Sequence, residues 1–281
     1  MVLEHKKKVL LLVIPVAVIL LLSVVVPGAV TAEEVEEEEN DTNNYIVREP
    51  IRIDGNDDFA AQAAAEGWPG DGSEGNPYVI EGYEINGTGY GYGIYVGNTT
   101  VHFVVRRCYV HNVSGIRNYP YFLNEGIQFY TVQNGNISSN IISDNEEGGI
   151  RFMEAENNIV ADNYIINNYR GVTLGGSHKN VITRNIIHSD TRSPQTGIGL
   201  AYSDNNIINN NTISNHRYGI FEDTCDRNVI EDNSFADNET DYDYAYEVEN
   251  GNNGDNEIPF IGFSFTVIAI MIVALTNWKK Y

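Results

Sequence analysis

Apolar residues in this chain recur as short pairs two positions apart, and the pairs recur at a near-constant interval. Three residues ahead of Asn140, Asn163, Asn185, Asn211 and Asn233 stand Ile137, Val160, Ile182, Ile208 and Ile230. Two residues after the same asparagines stand Ile142, Ile165, Ile187, Ile213 and Phe235. A third set, Ile127, Ile150, Val172, Ile198 and Ile220, follows Gly126, Gly149, Gly171, Gly197 and Gly219, with Phe129, Phe152, Leu174 and Leu200 two residues further on. A spacing of two puts side chains on one face of a strand, where a helix would need three or four. The breaks between pairs carry Asn, Asp, Ser and Gly, which favour turns.

The asparagine and glycine columns share the intervals 23, 22, 26 and 22. Two columns on one irregular beat mark a solenoid in which each repeat is one coil. Three short strands per coil, each sending Ile, Val, Leu or Phe inward, predict an all-β parallel β-helix over residues 50–250. A leucine-rich repeat has an overlapping period but needs a helical or Leu-dominated segment. The coils between Asn136 and Asn238 hold only Leu174 and Leu200.

The register extends upstream through Val104, Arg107, Tyr109 and Gly126, with the turn lengthened by residues 118–123, and before that through Ile80, Tyr83, Ile85, Gly93, Ile94 and Val96. Downstream, a weaker third strand is expected near Ala245, Tyr246 and Val248. About seven coils at ~4.8 Å make a rod of about 30 Å. Stacked asparagines can hydrogen-bond along the rod and satisfy buried turn groups, so the ladder is structural. An open solenoid end needs a cap. Asp57 to Gly67 predicts a short capping helix, with Asp57 or Asp58 as N-cap and Gly67 as stop. Ile51 and Ile53 form a first strand, and Phe59 and Trp68 plug the core. The stretch from Asp241 to Glu257 is a second cap or a linker.

The ends differ in kind. Lys6, Lys7 and Lys8 precede an apolar run from Val9 to Val26 and the small residues Val30-Thr31-Ala32. Residues 1–32 are therefore a signal peptide or an N-terminal anchor, with cleavage after Ala32 favoured. An acidic linker spans 33–49. After a linker at 251–257, residues 258–275 are apolar and uncharged, and Lys279 and Lys280 follow. That layout predicts a transmembrane segment with a cytoplasmic basic tail at 276–281, and a repeat domain outside the cell membrane. The formal net charge is −22, and Lys179 is the only lysine between Glu33 and Glu257. Such a surface repels phosphate backbones and excludes nucleic acid as a partner. Export makes the sequons at Asn40, Asn86, Asn98, Asn112, Asn136, Asn210 and Asn238 usable glycosylation acceptors. Cys108 and Cys225 fall about four coils apart, roughly 19 Å, beyond the reach of a disulfide. Cys108 is expected to face outward beside Tyr109, and Cys225 to lie in a turn.

Coils of the form Asn-x-Ile…Asn…Gly-Ile-x-Leu resemble the right-handed parallel β-helix repeats of NosD-like proteins, within the wider group of carbohydrate-binding and sugar-hydrolase β-helices. The segment from Gly70 to Ile80 resembles the entry motif of archaeal surface proteins of this type, and the apolar tail is similar to their anchoring segments, without a Pro-Gly-Phe signal. The resemblance covers about residues 50–250 and specifies fold far more than activity. With the apolar ends, the tyrosines and no catalytic set, the expectation is a non-enzymatic, membrane-anchored surface module, structural or binding cell-envelope polysaccharide, with a lyase or hydrolase of acidic glycans as the alternative. The outward position of the third strand holds Tyr95, Gln128, Arg151, Thr173, Gly199 and Phe221, where Arg151 is the one residue suited to a uronate. Tyr95, Tyr169 and Tyr218 are expected at exposed turns, where aromatic faces suit sugar rings. Glu146, Glu147, Glu154 and Glu156 offer carboxylates without a spacing that selects a hydrolytic pair. Copper would need converging histidines or sulfurs, yet His102, His111, His178, His188 and His216 take different places in their coils. No metal or other cofactor is expected, calcium being the one cation the acidic surface suits. Glu222 falls in the inward column of Phe129, Phe152, Leu174 and Leu200, and a bulge turning it outward and Phe221 inward is the expected resolution.

Overall fold

The computed structural model describes residues 45–115, 117–118, 122–191 and 195–245. The expected leader or anchor, the first part of the acidic linker, the transmembrane segment and the basic tail lie outside the described residues. Among those described, no helix is long and apolar enough to cross a membrane.

Short strands wind into three parallel sheets of eight, eight and seven strands. Each strand pairs with the third strand on, as when Ile141–Ser143 pairs with Tyr164–Ile166 and that with Ile186–His188. The first sheet sends Ile85, Val110, Ile142, Ile165, Ile187 and Ile213 inward, and the third sheet sends Ile80, Val105, Ile137, Val160, Ile182 and Ile208; all are buried. The second sheet contributes Ile94, Ile127, Ile150, Val172, Ile198 and Ile220, with Val96, Phe129, Phe152, Leu174 and Leu200 beside them. Each such side chain stabilises the coil by about 1.5–3 kcal/mol through burial. The glycine column leaves room for the first-sheet isoleucines. A Cβ on Gly149 would meet Ile165 Cγ2 at 2.4 Å, and one on Gly197 would meet Ile213 Cγ2 at 2.3 Å.

The asparagine ladder works as expected. Asn163 donates through Nδ2 to Asn185 Oδ1 (2.9 Å) and to the Ile137 carbonyl (2.9 Å), and its Oδ1 accepts from the backbone N–H and Nδ2 of Asn140 (both 3.0 Å). A second ladder, absent from the sequence reading, runs through Asn158, Asn180, Asn206 and Asn228. A third column of Ser177, Ser203 and Cys225 bonds along the rod in the same way.

The cap differs slightly from expectation. The helix spans Asn56–Glu66, its N-cap is Gly55 with no side-chain bond, and Gly67 closes it in the left-handed conformation. Asp58 serves the preceding strand instead, accepting from the Asp54 N–H at 2.8 Å. Phe59 and Trp68 are buried as the plug, and Trp68 Nε1 donates to Tyr83 Oη.

Three register expectations are corrected. Between Val104 and His111 the inward set is Val105, Cys108 and Val110, one residue on from Val104, Arg107 and Tyr109. Cys108 takes the ladder slot because its N–H donates to Asn140 Oδ1 at 3.0 Å, and a guanidinium could not be desolvated there. Cys108 is therefore buried rather than outward, and burial pushes its thiol up to about 11. Glu222 does not swing out. It stays in register with Leu200, held by Asn228 Nδ2 at 2.5 Å and by Tyr242 Oη at 2.6 Å, so hydrogen bonds replace the expected bulge. The last strand is Thr240–Ala245, earlier than expected, with Tyr242 and Tyr244 opposite Ile220 and Glu222.

Candidate functional site

Chemistry concentrates on the outer face of the second sheet. The expected outward row is correct in register: Tyr95, Gln128, Arg151, Thr173, Gly199 and Phe221 are successive partners. Its environment is not as expected. Tyr95 and Gln128 are fully buried, as are Thr173 and Tyr218 almost completely. Only Tyr169 among the three tyrosines is half-exposed. Tyr95 lies within a strand rather than a turn. Phe122, from the long turn ahead of Glu125, packs edge-on to Tyr95 (5.4 Å) and stacks on Tyr92 (4.6 Å). Arg217 covers the Tyr218 ring at 5.1 Å, and Phe221 packs beside it.

Arg151 is no isolated surface arginine. It pairs with Glu125 at 3.4 Å, the two side chains being 12% and 1% exposed. Glu125 was missed because it belongs to a neighbouring outward column: Tyr92, Glu125, Gly148, Arg170, Thr196 and Tyr218. The signal was legible, since most of these residues immediately precede the glycine column. Arg170 binds Glu147 at 3.0 Å and lies over the Tyr169 ring at 4.8 Å. Arg117 binds the other oxygen of Glu147. Burial raises the Glu125 carboxyl above its usual range, and Arg151, Arg170 and Arg117 pull it part of the way back. Its Oε2 has no hydrogen-bond donor, and neither Asn124 Oδ1 nor Thr173 Oγ1 has a partner. Gly148 makes room for that carboxyl, since a Cβ there would meet Glu125 Oε2 at 2.1 Å.

Of the sequons, Asn86, Asn98, Asn112 and Asn210 are exposed, and Asn136 and Asn238 are half-buried. Asn238 Nδ2 already donates to the Ile213 carbonyl. Asn40 lies outside the described residues.

Residues 72–258 match the family described as Periplasmic copper-binding protein (NosD). The chain belongs to the NosD family. No curated protein matches it. Solved structures that are similar include a mutant form of the periplasmic alginate epimerase AlgG, at 18% identity and TM-score 0.45, covering 60% of this chain and 44% of that one. The Dettilon tailspike protein is similar at 19% identity and TM-score 0.43, covering 57% and 41%. A DFA-IIIase from Arthrobacter chlorophenolicus A6 is similar at 10% identity and TM-score 0.38, covering 56% and 48%. This NosD-family chain thus spans less than half of each of those proteins.

The family name implies copper, and the described residues do not fit it. Among them no three His, Cys, Asp or Glu converge as a metal site. Burial holds both thiols near 11, at Cys108 and at Cys225, where the thiolate a soft metal needs is disfavoured. His188 is occupied by Ser214 (2.9 Å) and Asp190 (3.1 Å), and His178 accepts from the Asp204 N–H.

Proposed function

We propose that this NosD-family chain is an exported, membrane-anchored envelope protein that binds glycan on the outer face of its second sheet. The observation that carries this reading is the polar network of Glu125, Arg151, Glu147 and Arg170, set beside the aromatic group of Tyr92, Tyr95 and Phe122. Buried polar atoms without partners are costly, about 1–3 kcal/mol each, and a sugar supplies hydroxyls for them and an apolar ring face for the aromatics. Periplasmic family membership suits an exported repeat domain, and the apolar run at 258–275 supports the anchor. Binding of the full-length protein to cell-envelope polysaccharide, measured by glycan array and by titration, tests the reading; absence of binding at millimolar sugar refutes it. Resistance to carbonate extraction, with release into the medium on deleting residues 258–281, tests the anchor.

A second reading is favoured by one observation. A buried carboxyl whose proton is held tightly, as at Glu125, is the form a general acid takes. Turnover of a polysaccharide that Glu125→Gln and Arg151→Ala both abolish would make the chain a lyase or hydrolase instead.

A further inference from the structure

On the outer face of the first sheet, the residue just after each inward side chain forms a column of its own. It runs through His111, Ser143, Ile166, His188, Ser214 and Ala236. His188 and Ser214 are direct partners, 26 residues apart in the chain and one coil apart in space. His188 Nδ1 lies 2.9 Å from Ser214 Oγ, and its Nε2 lies 3.1 Å from Asp190 Oδ1. The carboxylate favours the tautomer that carries its proton on Nε2, which leaves Nδ1 to accept from the Ser214 hydroxyl. A hydroxyl within reach of an imidazole that a carboxylate orients is the arrangement that makes a serine nucleophilic. It is recognised by geometry and not by chain order.

The carboxylate is held although it is exposed. The Asp190 side chain is 71% exposed, yet its backbone N–H donates to Asn167 Oδ1 at 3.1 Å and its Oδ1 accepts from Asn215 Nδ2 at 3.0 Å. Ser189, between His188 and Asp190, ties the turn down by donating to the Asn168 carbonyl at 3.1 Å. Three consecutive coils thus fix the group. The same column supplies a contrast. Ser143 also stands one coil above a histidine, but His111 faces Glu84 at 3.4 Å and Asn112 at 2.9 Å. Ser143 is buried, whereas Ser214 is partly exposed and His188 is 34% exposed.

We propose that Ser214 is the nucleophile of an esterase site for small acyl esters, with His188 as its general base and Asp190 positioning the imidazole. Ser214 Oγ attacks the ester carbonyl carbon as its proton passes to His188 Nδ1, and Asp190 stabilises the imidazolium that forms. The tetrahedral adduct expels the alkoxide, which takes the proton from His188 and leaves as an alcohol, with the acyl group on Ser214. Water then attacks the acyl-serine, giving a proton to His188. The carboxylic acid departs as that proton returns to Ser214. An ester suits this place better than an amide, because an alkoxide is the easier leaving group and an open, hydrated face stabilises charge weakly. Ile166, one coil below His188, and Ile186, two residues before it and 37% exposed, give the acyl chain an apolar surface. The site lies on a different sheet from the glycan face, so each can fail without the other.

The test treats the full-length protein with a fluorophosphonate probe and assays it with p-nitrophenyl acetate. Peptide mass spectrometry should find the probe on Ser214 and not on Ser143. Ser214→Ala and His188→Asn should each lower kcat/KM about a hundredfold, with melting temperatures unchanged. Asp190→Asn should lower kcat while leaving KM in place, as loss of a transition-state contact does. Labelling of the unaltered protein reads the site even where a variant fails to fold. Absence of the probe from Ser214, or equal labelling of Ser143, would overturn the proposal. So would hydrolysis that continues at the parent rate in Ser214→Ala or in His188→Asn.

Discussion

Asn163→Ala measures what the ladder contributes. The side chain takes part in four hydrogen bonds, two as donor and two as acceptor, and it is 1% exposed. At about 1 kcal/mol net per bond, their loss costs about 4 kcal/mol. The truncation also strands the Asn140 N–H and the Ile137 carbonyl inside the rod, where an unpaired polar group is costly. That is a large part of the total stability of about 5–15 kcal/mol expected of a domain. Asn233 provides the internal control. Its side chain also takes part in four bonds, but it lies at the end of the rod and is half-exposed. Water can take over there, and Asn233→Ala should cost about 1 kcal/mol. Urea unfolding of both variants, followed by far-UV circular dichroism, reads the difference. Equal midpoint shifts would show that ladder bonds contribute independently of burial, and would refute the reasoning.

Ile165→Ala should cost about 2–5 kcal/mol through lost transfer energy and a residual cavity, because Ile165 is 1% exposed between Ile142 and Ile187. Tyr164→Ala, at a neighbour 48% exposed, should stay within about 0.5 kcal/mol; similar thermal shifts for the pair would undo the inward assignment. His216 is buried and held at about 4, chiefly by desolvation. Its unfolded form takes up a proton near 6.5, so stability should be full above that pH and fall by about 3 kcal/mol as pH drops towards 4. His216→Asn, which places in this coil the residue found at Asn145, Asn168 and Asn238, should flatten that slope in pH-dependent melting curves. Cys108, buried with its thiol near 11, should resist alkylation at pH 8 in the folded protein and react on unfolding, as mass spectrometry would record. Gly148→Ala should displace the Glu125 carboxyl, given a Cβ contact of 2.1 Å, and abolish glycan binding in titration with little change in secondary structure.

The sequence by itself determined the coil, the ladder and the inward columns, because each is a short-range rule repeated many times. A two-residue alternation and a fixed interval leave no second way to bury Ile142, Ile165, Ile187 and Ile213 together. Even the slip at Cys108 shows the limit of that rule. Where the interval is broken by the extra residues at 118–123, one residue of register is decided by the contact between the Cys108 N–H and Asn140, and not by the local pattern. Glu222 shows the same from the other side: its inward place is made tolerable by Asn228 and Tyr242, 6 and 20 residues away in the chain. The candidate site depended on tertiary structure throughout. Glu125 and Arg151 are 26 residues apart and meet only because coils stack. Whether Tyr95 and Tyr218 face solvent is set by which groups cover the second sheet, and outward positions carry no period that records it.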